Sequence, residues 1–261
     1  MTGGPLDGRG AVVTGGGRGI GAAVARALSK SGAHVLVAAR TSAEIEKIAA
    51  ELRARGGKAW AASCDVTDEA SVKRLGEAAR YHLGVTDILV NNAGAAASAS
   101  LRKITLEEWN RLLSINATSA FLCTREFAPG MAERGWGRVV NVASIAGLEG
   151  GKYIAHYTAS KHAMIGLTRA TAVEFAGTGV TVNAVCPGYV DTQMTDRTLA
   201  IVESRAGLSR KDALLAVLAT TGQGRLVTPE EVAAEIARLC LPDADEITGQ
   251  AVLLNPGPDA P

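Results

Sequence analysis

The 261 residues carry 27 basic and 26 acidic side chains, a formal charge of +1. So even a balance gives no electrostatic case for nucleic acid or an anionic membrane as partner. The length suits one α/β domain with a substantial core, expected to span 1–261. The opening MTGGPLDGRGAVVTGGG lacks the basic segment and apolar run of a secretory signal, and no stretch nears the ~18 uninterrupted apolar residues of a membrane span. A cytoplasmic protein is expected. Cys64, Cys123, Cys186 and Cys240 are scattered with no C-x-x-C pair, which fits neither a zinc site nor a disulfide framework, and no metal is expected.

In chain order, short β-rich runs at 10–14, 34–39, 59–63, 87–91, 137–143, 180–185 and 250–254 alternate with amphipathic segments. Near-continuous apolar strands separated by helices predict a parallel sheet buried on both faces, a single-domain, doubly wound, Rossmann-type α/β fold of about seven strands. The interval from Gly188 to Val227 lacks a strand and shows two helical patterns, near 193–205 and 209–219. A strandless excursion of this length predicts a substrate lid at about 189–226. After it, Thr228-Pro229-Glu230-Glu231 supplies an N-cap, a proline at the first helical position and a glutamate three residues past the cap, so a helix should run to about Cys240. Six strands end in polar or glycine-rich residues: Thr14-Gly15, Arg40, Cys64-Asp65, Asn91-Asn92-Ala93-Gly94, Ser144 and Pro187-Gly188. In an open parallel sheet these ends share one edge, where ligands bind.

The first strand leads into TGGGRGIGAAVARAL, residues 14–28. Its spacing reads either as Gly15-x-x-x-Gly19-x-Gly21 or as Gly17-x-Gly19-x-x-Ala22. Both bring backbone N–H groups and a helix N-terminus to a pyrophosphate. No Lys-Ser or Lys-Thr follows, which disfavours a nucleotide-hydrolysing loop. The second strand ends Val37-Ala38-Ala39-Arg40, without the acid that meets a ribose 2′-hydroxyl. Arg40, with Arg18 in the glycine turn, suits a 2′-phosphate, so NADP(H) is favoured over NAD(H). Further on, AHYTASKHAM sets Tyr157 and Lys161 four residues apart. One helix face then carries both, with Cβ atoms about 5–6 Å apart. An ammonium beside a phenol is expected to lower the phenol's pKa from near 10 toward the working range.

Taken together, these residues resemble the short-chain dehydrogenase/reductase family along nearly the whole chain. The matches are T-G-x-x-x-G-x-G at Thr14 to Gly21, C-D-V at Cys64-Asp65-Val66 and N-N-A-G at Asn91 to Gly94. They continue with Asn116 in LLSINAT, Ser144 thirteen residues before Tyr157, Y-x-x-x-K at Tyr157 and Lys161, and P-G-x-x-x-T at Pro187, Gly188 and Thr192. The resemblance implies hydride transfer between a nicotinamide and a carbonyl or secondary alcohol. Tyr157 would be proton donor, Ser144 the donor to the substrate oxygen, Lys161 the holder of the nicotinamide ribose, and Asn116 the anchor of a water linking Lys161 to solvent. The cofactor would lie along Gly15, Arg18, Gly19, Ile20, Gly21, Arg40, Asp65, Val66, Asn91, Asn92, Ala93, Gly94, Tyr157, Lys161, Pro187, Gly188, Val190 and Thr192. His156 and His162 are left as structural or substrate-side residues.

The resemblance leans toward bacterial 3-oxoacyl-thioester and polyketide ketoreductases and hydroxyacyl-CoA dehydrogenases. A lid carrying Tyr189, Met194, Leu199, Ile201, Val202, Leu208, Leu214, Leu215, Val217 and Leu218 suits an acyl chain or ring. Many carrier-protein reductases of the family present arginines where this chain has Gly135 and Thr178, so a CoA thioester or a free ketone is favoured over a carrier-bound one. A non-catalytic NADP(H) sensor would need the glycine turn and Arg40 but not Ser144, Tyr157 and Lys161. The helix from about Tyr153 to Ala176 is apolar nearly all round, with Ala163, Met164, Leu167, Ala170 and Phe175 in need of cover, and predicts a homo-oligomer, a tetramer by resemblance.

Overall fold

Seven strands form β1 Gly10–Thr14, β2 His34–Ala39, β3 Ala59–Ser63, β4 Ile88–Asn91, β5 Gly137–Val142, β6 Val180–Pro187 and β7 Ala251–Leu254 in a computed structural model describing residues 4–258. The remaining residues of the expected domain, 1–3 and 259–261, lie outside the described residues. All strands pair in parallel in one sheet, ordered β3-β2-β1-β4-β5-β6-β7. The expected α/β fold is therefore present, and the order reverses between β1 and β4, the switch point at which such sheets bind ligands. β1, β5 and β6 are buried along their whole length, which is why they read as unbroken apolar runs. β6 runs two residues past its predicted end. Gly188 N–H continues the ladder on Leu254 O at 2.9 Å, so Pro187, which has no N–H, does not end it.

Among the described residues nine α-helices fill the connections: α1 Gly19–Lys30, α2 Ser42–Ala54, α3 Glu69–Leu83, α4 Leu106–Leu113, α5 Ser119–Glu133, α6 Ala155–Glu174, α7 Gln193–Ala206, α8 Arg210–Ala219 and α9 Pro229–Leu239. Leu28, Ile48 and Ile236, of α1, α2 and α9, pack on one sheet face with Val13 and Val35. On the other face Leu75 and Phe127, of α3 and α5, meet Val12, Leu36 and Leu89. Adjacent residues of one strand thus serve opposite layers, as the pleat requires. α9 starts as predicted: Thr228 Oγ1 accepts from Glu231 N–H at 3.1 Å, and the Glu231 carboxylate accepts from Thr228 N–H at 2.7 Å. Arg225 and the Thr228 N–H together hold the Glu231 carboxyl at about 2.

Two expectations change. α6 does not leave Met164 uncovered. It is fully buried with Ile165 and Ala184, while Leu167 and Phe175 pack partly against the interior, so the bare stripe is Ala163, Gly166, Ala170 and Val173. The excursion forms α7 and α8, but Leu199, Ala213 and Val217 make a small core of their own, with Tyr189, Val202 and Leu214 against it. Two short helices outside the main core need an apolar centre. Much of the predicted lining is thus internal, and Met194, Ile201, Leu208 and Leu215 are what remains exposed.

Candidate active site

At the switch point β1 is tied to the end of β4 through Thr14 and Asn92. Thr14 Oγ1 accepts from Asn92 N–H at 3.0 Å and Ala93 N–H at 3.1 Å, while Asn92 Nδ2 donates to Thr14 O at 2.9 Å and Gly15 O at 3.0 Å. The turn must be glycine here. Gly15 has φ +63°, and a Cβ on Gly21 would lie 2.4 Å from Asn92 Nδ2. Asn92 and Thr14 are therefore the clamp that shapes the cradle. α1 begins at Gly19 with no side-chain cap and no acid in its first turn, so its leading N–H groups remain free for an anion. Thr192 approaches the same turn, its Cγ2 within 3.4 Å of where a Gly19 side chain would start. A cradle with this backbone and charge fits a dinucleotide pyrophosphate. Ile20 is half-buried against the core and Val190 is buried.

Arg40 stands exposed at the end of β2 and makes no ion pair among the described residues. Arg18 is held by Glu44 of α2 at 3.2 Å. Asp65 accepts from Thr67 Oγ1 at 2.7 Å and Thr67 N–H at 3.0 Å, which keeps its carboxyl below the usual range, with a smaller contribution from Arg40. The Val66 side chain is buried in the core, leaving its backbone for any ligand. Asn91 departs from expectation: its Nδ2 donates to Asn141 Oδ1 at 2.9 Å and Thr124 Oγ1 at 3.1 Å inside the sheet layer, not along the ligand edge. The strand's alternation turns Asn91 inward and leaves the edge to Asn92, Ala93 and Gly94.

β5 delivers Ser144 and α6 delivers Tyr157 and Lys161 to the same edge. Ser144 Oγ accepts from Ala146 N–H at 3.1 Å. Lys161 is buried, donates to Val142 O at 2.8 Å and lies 5.9 Å from the centre of the Tyr157 ring. Asn116 is fully buried in a π-helical turn, Ser114–Thr118, joining α4 to α5. Such turns displace the helical bonding ladder and recur at functional sites. Its Oδ1 accepts from Ala95 N–H and its Nδ2 donates to Ala95 O and Ser160 Oγ, each at 2.9 Å. Ser160, which sequence reasoning passed over, then donates to Tyr157 O at 2.7 Å. Only its place three residues after Tyr157 hinted at this. Gly94 seals the contact: a side chain there would start 2.9 Å from Asn116 Oδ1 and 3.7 Å from Lys161 Nζ. His156 is buried with both ring nitrogens unpartnered, and its pKa falls with burial, whereas exposed His162 bonds Thr158 O at 3.0 Å.

The electrostatics of the pair differ from the expectation. Burial pushes the Tyr157 phenol above its ordinary value, with Ser144 pulling the other way and Tyr189 adding to the rise. Burial also brings the Lys161 ammonium down to about 8. Desolvation is the largest influence on both groups. A consequence for stability follows. Unfolded Lys161 titrates near 10.5 and folded Lys161 near about 8. Between these values the unfolded chain binds more protons and stability rises with pH, so the whole penalty stands below about 8. Lys161→Met is expected to raise the thermal midpoint of the cofactor-free protein at pH 7 by several degrees, each ~1 kcal/mol being worth about 2–4 °C at this size. The gain should shrink as pH approaches 10.5. Calorimetry at both ends checks this, and equal midpoints at pH 7 would contradict it.

Comparison with known proteins gives this edge its family. The sequence profile described as short chain dehydrogenase matches residues 9–201. The chain belongs to the short-chain dehydrogenase family. It is similar to a protein named a ketoacyl reductase, from the granaticin polyketide synthase of Streptomyces violaceoruber, with 39% identity over 93% of this chain and 90% of that one. It is also similar to the D-beta-hydroxybutyrate dehydrogenase of Cupriavidus necator, with 36% identity over 94% of this chain and 95% of that one. Among solved structures, a variant of actinorhodin polyketide ketoreductase with NADPH superposes with a TM-score of 0.92 at 37% identity, covering 98% of this chain and 99% of the other. A structure described as an NAD(P)-dependent gluconate 5-dehydrogenase from Beutenbergia cavernae, with NADP bound at low occupancy, gives 0.86 at 37% identity, covering 96% of each chain. As a short-chain dehydrogenase, this chain is an NAD(P)-dependent oxidoreductase acting on CH–OH groups. No helix among the described residues is long and apolar enough to cross a membrane.

Proposed function

We propose that this chain is a cytoplasmic, NADP(H)-dependent ketoreductase whose substrate is a 3-oxoacyl thioester or a related apolar ketone. The observation that carries the reading is the meeting of Ser144, Tyr157, Lys161 and Asn116 at the sheet edge that also holds the glycine cradle. Relatives named as ketoacyl reductase and hydroxybutyrate dehydrogenase support the substrate class. Two arginines at the adenosine end, Arg40 without an ion pair among the described residues and Arg18 paired with Glu44, together with neighbours solved with NADPH and NADP, support the phosphorylated cofactor.

When bound, the nicotinamide supplies a hydride from C4 to the carbonyl carbon. The chain does the rest. Ser144 donates a hydrogen bond to the carbonyl oxygen as negative charge grows there. Tyr157, whose raised pKa keeps it protonated at neutral pH, gives that oxygen its proton and leaves a secondary alcohol. Lys161, close to half-charged near pH 8, holds the nicotinamide ribose and steadies the phenolate that remains. The segment 189–226 acts as the lid, with Met194, Ile201, Leu208 and Leu215 offering the exposed apolar surface. Gly135 and Thr178 stand where many carrier-protein reductases of the family present arginines, which supports a CoA thioester or free ketone over a carrier-bound one.

The test is a mixture of protein, NADPH and a panel of ketones and 3-oxoacyl-CoA thioesters, followed at the nicotinamide absorbance. Cofactor binding without oxidation across the panel would sink this reading and leave a sensor. Glu44→Gln is a finer check on the cofactor. An exposed pair such as Arg18–Glu44 is worth about 0.2–1 kcal/mol, so freeing Arg18 should tighten NADPH up to about fivefold. NADH should be unaffected, as read by fluorescence titration. The exposed stripe Ala163, Gly166, Ala170 and Val173 on α6 supports pairing of two chains through an isologous contact, and the family resemblance extends the proposal to a homotetramer of two such pairs. Light scattering at micromolar concentration should give four chains, and Val173→Glu should lower the mass; a wild-type monomer would contradict it.

A further inference from the structure

The lid leaves and rejoins the sheet through a neck built around one side chain, Gln223. It is buried, and every polar group of its amide is used. Oε1 accepts from Tyr189 N–H at 2.7 Å and the Thr221 hydroxyl at 2.8 Å, and Nε2 donates to Tyr189 O at 3.2 Å and Arg225 O at 3.1 Å. The amide pairs with Tyr189 as a peptide group of a neighbouring strand would. A true ladder continues from it: Val227 N–H donates to Tyr189 O at 2.9 Å and Asp191 N–H to Val227 O at 2.8 Å, with Val190 bridged to Val227. The run after β7 closes the third side, with Asn255 Nδ2 on Thr221 O at 2.8 Å and Gly224 N–H on Pro256 O at 3.1 Å. Gly188 makes room for the amide, since a Cβ there would lie 2.4 Å from Gln223 Oε1.

We propose that Gln223 is a positioning residue that locks both ends of the lid and so fixes the run from Gly188 to Thr192. That run includes Tyr189, whose backbone the amide holds on both sides, and brings Thr192 to the glycine turn, so the amide acts on the site through this run without touching substrate. The inference rests on the ketoreductase reading for its kinetic part and on geometry alone for its structural part. Gln223→Glu keeps the size and both acceptors but sets a carboxylate against Tyr189 O and Arg225 O. Gln223→Leu removes all four bonds. Gly188→Ala leaves Gln223 in place and pushes its amide aside.

The experiment measures limited trypsin cleavage in the lid, at Arg197, Arg205, Arg210 and Lys211, well below each variant's melting point. Cleavage at Arg53 and Arg55 of α2 serves as the control for general loosening. All three substitutions are expected to speed lid cleavage about tenfold with α2 unchanged, and the two Gln223 variants to raise KM for acetoacetyl-CoA about tenfold with kcat within about threefold. Adding Gly188→Ala to Gln223→Ala should not speed lid cleavage further, because the clash has lost its partner. Lid cleavage at the wild-type rate in the variants, or loss confined to melting temperature with KM unmoved, would overturn the proposal. If Gln223→Leu does not fold, Gln223→Glu and Gly188→Ala carry the same test. Should wild type reduce no carbonyl, the ketoreductase reading fails while the cleavage result still decides the neck.

Discussion

Tyr157→Phe is expected to remove nearly all turnover while leaving NADPH affinity almost unchanged. The substitution deletes one hydroxyl and keeps the ring, so packing between α6 and the sheet is preserved. Loss of general acid catalysis typically costs about 10²–10⁴-fold in rate. The raised pKa of the phenol sharpens the case, because the proton is present at neutral pH. Stopped-flow binding and steady-state kinetics on the same preparation separate the two effects. A variant keeping more than about a tenth of wild-type activity would contradict the role, since even the low end of that range is a hundredfold loss.

Arg40→Ala is expected to weaken NADPH binding about ten- to hundredfold, the loss of a charge-assisted hydrogen bond worth roughly 1.5–3 kcal/mol. Arg40 is the better target of the two arginines because it makes no ion pair among the described residues, whereas Arg18 is shared with Glu44. NADH, lacking the phosphate, should bind the variant as it binds wild type. Replacing Ala39 by Asp as well should invert the preference, because a carboxylate at the end of β2 accepts from a ribose 2′-hydroxyl and repels a phosphate. The comparison is kcat/KM for NADPH and NADH in wild type, Arg40→Ala and the double variant. A wild type that prefers NADH, or a preference unmoved by Arg40→Ala, would make these arginines surface charges.

The strands were legible because burial on both faces writes itself as unbroken apolar runs, and Val12 with Val13 already serves both layers. The start of α9 was legible because Thr228 and Glu231 satisfy each other within four residues. What escaped depends on neighbours far along the chain. Asn92 could be placed at the ligand edge, but its bonds to Thr14 and Gly15 join residues 78 and 77 positions apart. The π turn at Asn116 leaves no mark in composition, and Ser160 looked like any small helix residue until Asn116 was found donating to it. The Tyr157–Lys161 electrostatics were misjudged because spacing reports proximity and not solvent, and here burial dominates both groups. Apolar residues in 189–226 were equally visible, yet sequence alone could not divide those that pack inward, such as Leu199 and Val217, from those left facing out, such as Leu215.

The most direct measurement follows the hydride itself. Protein is incubated with NADPH carrying deuterium at C4 and with a ketone or 3-oxoacyl-CoA, and the product alcohol is analysed by mass spectrometry and NMR. The account predicts deuterium at the carbinol carbon in wild type, none transferred to the product from solvent at that position, and labelled alcohol formed at least about a hundredfold more slowly with Tyr157→Phe. NADPH oxidation without label in the alcohol, or labelled alcohol formed equally well by Tyr157→Phe, would contradict it.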